Sequence, residues 1–173
     1  MNTKDAILLR HACRSYTNEP LTDEQIDTLI QAANAAPATM GDYSGIELTV
    51  VKSPELLQEI EKETAHGMPM MGDHPTYEAP ALFIISVKPN EHYAMLPYCN
   101  ASCMAENIMI QATDLKLGSV YIMAVATVMQ KKPELLGKLQ ITSGFVPAVV
   151  VAVGTANEDV RVSITERIRS RVV

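Results

Sequence analysis

Residues 100 to 117, NASCMAENIMIQATDLKL, constrain this chain more than any other stretch. Met104, Ile108, Met109, Ile110, Ala112 and Leu115 spread around the whole helical wheel, so a helix here has no face suited to water. Gly118 follows at once and is expected to close it as a C-cap. An 18-residue helix of that kind must lie at the centre of something, which is demanding for 173 residues alone. Burial against its own copy across a two-fold axis would satisfy it, so a homodimer is expected.

The rest of the chain alternates helical and strand patterns with no repeat or linker, which predicts a single domain over 1–173. A first helix is expected from Lys4 to Arg10, with Ile7 and Leu8 facing inward. Thr22 and Gln25 form a capping box ahead of the stripe Ile26, Leu29, Ile30 and Ala33, and that helix stops at Ala36-Pro37. Ile46 to Lys52 alternates like a strand, and Ser53-Pro54 opens a helix to about Glu63. Residues 65–78 lack any period and are expected to loop. Ala81 to Val87 and Val146 to Val153 are continuous apolar runs, the pattern of strands buried on both faces. Ser119 to Met123 suggests a short strand, Lys131 to Leu139 a helix, and residues 155–173 a charged tail.

Composition excludes several function classes. A net charge of −6 argues against a general nucleic-acid or anionic-membrane binder. No run approaches the ~18 apolar residues that span a bilayer, and MNTKDAILLR has no secretory pattern. Three cysteines, an odd number, do not make a disulfide framework, and the cytoplasm is the expected compartment.

Phosphate-loop, dinucleotide-fingerprint, zincin and nucleophile-elbow motifs are all missing. Cys99 and Cys103 stand one turn apart with no third ligand nearby, which favours small core residues over metal ligands. His66, His74 and His92 fall in loops without ligand spacing. Met68, Met70 and Met71 either fold onto the core or form an adaptable apolar lid over a planar ligand. Arg10 and Arg14 are either surface residues closing a helix end or a clamp for an anion, since guanidinium matches phosphate bidentately. Within their own stretch no carboxylate follows until Glu19.

The order of motifs resembles the FMN-dependent nitroreductase family. R-H-A-C-R-S-Y starts at Arg10, E-P-L-T-D-E-Q-I at Glu19, A-A-N-A-A-P at Ala32 and L-T-V-V at Leu48. Tyr77 to Leu82, Ala112 to Ser119 and Gly144 to Pro147 continue the match, which runs from about residue 5 to 155. The resemblance implies an α+β fold, a mainly antiparallel sheet flanked by helices, built as an intertwined homodimer with FMN at the subunit interface. The tail would contact the partner subunit.

Carried onto this chain, the resemblance puts Arg10 on the FMN phosphate, with His11 and Ala12 at adjoining contact positions. Arg14 matches a basic residue near the pyrimidine end of the flavin, where a fixed cation favours the reduced form. Pro37, Ala38, Thr39 and Met40 match the loop laid against the cofactor by the partner. Met123 and Ala124 match backbone beside the isoalloxazine, and Arg161, with Arg167 as competitor, completes the phosphate site. No protein nucleophile and no metal are required. Ala12 departs from the usual serine, Gly41 to Ile46 replaces the usual N-x-Q-P-W stretch, and the tail lacks the usual proline-rich basic pattern.

The implied activity takes hydride from NAD(P)H and reduces an electron-poor acceptor, a nitroaromatic or quinone, by a ping-pong mechanism. The alternatives are a flavin-dependent oxidase, dehydrogenase or dehalogenase acting on a specific small substrate, and an FMN-binding protein with little turnover.

Overall fold

The computed structural model describes residues 1–157 and 168–172. Its elements follow in the order α1 (Thr3–Leu9), α2 (Asp23–Asn34), β1 (Ile46–Val51), α3 (Pro54–Gly67), β2 (Ala81–Val87), α4 (Leu96–Asp114), β3 (Gly118–Ile122), α5 (Met123–Met129), α6 (Pro133–Lys138) and β4 (Val146–Gly154). The strands form one sheet in the order β1-β2-β4-β3, with every neighbouring pair antiparallel. Helices cover both faces, so the fold is α+β. Among the described residues no helix is long and apolar enough to cross a membrane.

The two apolar runs form the middle of the sheet because a strand covered on both sides needs no polar face. All seven residues of β2 are buried. Phe83, Ile85 and Val87 join α2 and α4 in one core, while Leu82 and Ile84 join α3, α5 and α6 in the other. The β2–β4 register shifts between Ile85 and Ser86, where Ser86 faces Pro147. Proline cannot donate to a ladder, and a bulge is where a sheet accommodates it. The carbonyl of Pro147 instead accepts from Gln130 Nε2 at 2.6 Å.

The capping box of α2 forms as expected, with Gln25 N–H donating to Thr22 Oγ1 at 3.2 Å and Thr22 N–H to Gln25 Oε1 at 2.8 Å. Several elements differ from the sequence reading. The helix α3 runs on to Gly67, because nothing breaks Thr64-Ala65-His66 and Gly67 packs against Val128 of α5. The expected loop therefore starts later and contains a short 3₁₀ turn at Pro69–Met71. The run Met123–Met129 is the helix α5, which the sequence reading did not anticipate. Finally, α4 starts at Leu96 and ends at Asp114.

Gly118 does not cap α4. Lys116 takes the left-handed position at φ 60°. Leu117 N–H donates to Ala112 O at 2.8 Å and Lys116 N–H to Thr113 O at 3.0 Å, the paired bonds of a Schellman ending. Gly118 instead opens β3, pressed against Cys13.

All-round burial of α4 is not met within one chain. Ala101, Met104, Ala105, Ile108, Met109 and Ala112 are buried, whereas Leu96, Cys99, Cys103 and Glu106 are exposed along one stripe. The two cysteines are thus surface residues here, and only Cys13 is buried. In α1 the single buried residue is Ala6, while Ile7, Leu8 and Leu9 all face outward.

Candidate functional site

The chain leaving α1 is stitched to the sheet edge. Cys13 N–H donates to Ser119 O at 2.9 Å, Ala12 bridges Ser119, and Thr17 N–H donates to Thr155 O at 2.8 Å. Tyr16 anchors this crossing from below, its hydroxyl donating to Cys13 O at 2.9 Å and Ala152 O at 3.3 Å. Burial pushes the Tyr16 phenol far above its ordinary 10.0, so it stays a neutral donor. Arg10, His11, Ala12 and Arg14 are thereby set at the β3 edge, and β3 leads directly into Met123 and Ala124 at the start of α5.

Arg10 is the C-cap residue of α1, its N–H donating to Ala6 O. Its Nε lies 3.3 Å from Glu106 Oε1 on α4, with the arginine side chain 26% exposed. The two terminal guanidinium nitrogens donate no hydrogen bond among the described residues. His11 Nδ1 lies 3.0 Å from Leu9 O. A carbonyl only accepts, so Nδ1 carries the proton; Nε2 is buried without a partner. Arg14 is exposed and makes no ion pair among the described residues. The helix α5 opens at Met123 with no side chain capping its first amides, and Met123 is exposed.

The second group lies near the start of α4. Thr39 and Met40 belong to a 3₁₀ turn at Thr39–Gly41, preceded by Pro37 and Ala38. Asn100 Oδ1 accepts from both Thr39 N–H at 3.1 Å and Thr39 Oγ1 at 3.0 Å. Met40 sits at φ 58° with 98% of its surface exposed. The turn forms one wall of a cleft of about 730 Å³, shared with Lys88, Tyr93 and Leu96. Inside it Asp42 accepts from Ser44, whose hydrogen bonds hold the carboxyl below its ordinary value. None of Arg10, His11, Ala12, Arg14, Met123 or Ala124 lines this cleft. One chain therefore carries the two groups apart, both braced on α4, through Glu106 and Asn100. Arg161 and its competitor Arg167 fall outside the described residues.

A family model described as the Nitroreductase family matches residues 7–155. The chain belongs to the nitroreductase family. This nitroreductase-family chain is 27% identical over 166 residues to a protein of Bacillus subtilis named FMN reductase (NADPH), covering 88% of this chain and 65% of that one. It is 24% identical over 151 residues to a Vibrio harveyi protein named NADPH-flavin oxidoreductase, covering 79% and 59%. It thus spans less than two thirds of the length of either curated relative. Among solved structures, an FMN-bound nitroreductase from Desulfitobacterium hafniense superposes with a TM-score of 0.88 at 22% identity, covering 100% of this chain and 99% of that one.

The sequence reading of this nitroreductase-family chain missed Glu106 and Asn100. The signal for Glu106 was present, as the one charged residue between Leu96 and Ile110. Of the Met-rich loop, Met71 packs onto the core formed with α3 and α5, while Met70 is left 89% exposed.

Proposed function

We propose that this chain is one subunit of an FMN-dependent NAD(P)H oxidoreductase that reduces an electron-poor acceptor, a nitroaromatic or a quinone. The observation that carries the reading is the docking of the Arg10–Arg14 segment beside Ser119 in a nitroreductase-family chain, where β3 runs on into Met123 and Ala124. The donor set suits FMN. A guanidinium with two open nitrogens matches a phosphate, and uncapped amides at α5 with a buried, unpartnered His11 nitrogen match a polar, flat ring system.

When bound, FMN would supply the two-electron redox chemistry linking NAD(P)H to the acceptor. Arg10 would hold the phosphate, with Arg161 or Arg167 completing that site, and His11 and Ala12 would line the adjoining wall. Arg14 would place a fixed cation near the pyrimidine end and favour the reduced state. The Met123–Ala124 backbone would pack beside the ring. Pro37, Ala38, Thr39 and Met40 would come from the partner subunit, which fits their separation from Arg10 within one chain.

An intertwined homodimer is part of the same reading. Leu96, Cys99 and Cys103 on α4 and Ile7, Leu8 and Leu9 on α1 form apolar surface that a second copy would cover. The single domain would keep its tail, residues 155–173, against that partner, and the dimer would work in the cytoplasm. NAD(P)H and acceptor would occupy one place in turn, giving ping-pong kinetics. The names of the curated relatives add free flavin to the acceptors worth trying.

The test is purification with excess FMN, desalting, and a visible spectrum on a sized particle, followed by NAD(P)H oxidation with nitrofurazone or menadione. A yellow dimer that turns over either acceptor is expected. A colourless monomer overturns the reading. A bound flavin that NAD(P)H cannot reduce makes the chain a flavin-binding protein, and reduction without turnover points to a specific oxidase, dehydrogenase or dehalogenase.

A further inference from the structure

We infer that Glu106 acts as a counterweight on the flavin phosphate site, weakening the grip of Arg10 so that FMN exchanges with the free pool. The inference rests on the proposed role of Arg10 as the phosphate ligand.

Three observations carry it. Glu106 is the one charged residue of α4 before its last turn, on a stretch otherwise made of apolar and uncharged polar residues up to Asp114. Its carboxylate meets Arg10 at Nε, 3.3 Å away, and among the described residues the two terminal nitrogens stay open. Arg14, four residues on, has no such carboxylate among the described residues, so the pairing is particular to Arg10.

The geometry decides what the carboxylate can do. A phosphate approaching the open edge of the guanidinium forms a bidentate contact there without displacing Glu106. It then lies on the far side of one guanidinium from a second anion. Both anions share the same cation, and the repulsion between them subtracts from binding of the dianionic group alone. In the single chain Glu106 and Arg10 are both partly exposed, which screens the effect and keeps it modest; covering of the α4 stripe by the proposed partner would lessen that screening. A neutral flavin without the phosphate does not feel it.

Glu106→Gln isolates this effect, because glutamine keeps the length and shape of the side chain beside Nε while losing the charge. Dissociation constants for FMN and for riboflavin are to be measured by flavin fluorescence quenching in the wild type, in Glu106→Gln, in Arg10→Ala and in the double variant. The expected result is FMN binding tightened roughly two- to fivefold by Glu106→Gln, carried in a slower FMN release rate. Riboflavin binding should be unmoved, and the gain should shrink in high salt. In the Arg10→Ala background the substitution should have no effect. An unchanged or weaker FMN constant in Glu106→Gln, or an equal shift for riboflavin, overturns the inference while leaving Arg10 in place. If Arg10→Ala itself leaves FMN affinity unaltered, the reading of the phosphate site fails instead. Should Glu106→Gln disturb assembly, Glu106→Asp, which keeps the charge but draws it back from Nε, must fall between wild type and glutamine; a constant outside that range overturns the inference too.

Discussion

A methyl group built on Gly118 would lie 2.6 Å from the Sγ of Cys13 and 2.7 Å from its Cβ, inside any real packing distance. This contact holds the Arg10–Arg14 crossing flat against the first residue of β3. Gly118→Ala is expected to cost about 1–3 kcal/mol through overpacking. Calorimetry should show a lower Tm, by roughly 2–4 °C for each kcal/mol in a chain of this size. FMN titration should show weaker binding in the same variant. An unchanged Tm would mean the crossing has slack that the contact denies.

Met40 spends conformational energy to stand in the open. A residue with a side chain in the left-handed region costs about 1–2 kcal/mol, and nothing among the described residues covers this one. Met40→Gly should therefore raise stability by about 1 kcal/mol in denaturant titration. It should also raise KM for the acceptor if the thioether lines the partner's flavin site. A variant that gains stability and keeps its KM would strip the side chain of that role.

Tyr16 sets the alkaline edge of stability. Its folded pKa is raised, so its contribution is complete below the unfolded value of 10.0 and drains away as pH climbs beyond it. Urea midpoints between pH 8 and 11 should decline above about pH 10 in the wild type. Tyr16→Phe should lose about 1–3 kcal/mol at neutral pH, because the carbonyls of Cys13 and Ala152 lose their donor. Its decline above pH 10 should be shallower. Parallel curves would show that the phenol does not titrate with unfolding.

Arg14→Ala removes the exposed cation assigned to the pyrimidine end of the flavin. FMN should bind more weakly and the two-electron potential should fall by roughly 30–60 mV, the worth of one charge-assisted hydrogen bond. Spectroelectrochemistry with the FMN-loaded protein measures the shift. A potential that stays put would leave Arg14 a surface residue.

Much of the fold was legible because burial writes itself into local pattern. Ala81 to Val87 could only be an inner strand, and Thr22 with Gln25 could only open a helix. What escaped depends on contacts distant in the chain. Met123–Met129 is a short apolar run whose Val and Thr suit strand or helix, and packing on α3 and β4 made the choice. Gly118 was expected as a cap, yet its missing side chain serves Cys13 from the far end of the sequence, and Lys116 accepted the left-handed turn instead. In the candidate site, Arg10 and Arg14 stood out as a pair, while the carboxylate that tells them apart sits on another helix. The resemblance marked Thr39 and Met40, but nothing in their neighbourhood announced Asn100 as their support.

The central place of β4 has a consequence for biosynthesis. It is the last of the described strands, yet it sits between β2 and β3 and pairs Val153 with Ala81. A ribosome therefore releases β1 and β2 long before the strand that completes their sheet emerges, and such non-local pairing makes for slow closure. Until then β2, apolar on both sides, hangs at an open edge. Nascent copies should depend on chaperones during that interval, and translation that stalls before residue 146 should yield aggregate, not a trimmed but working core.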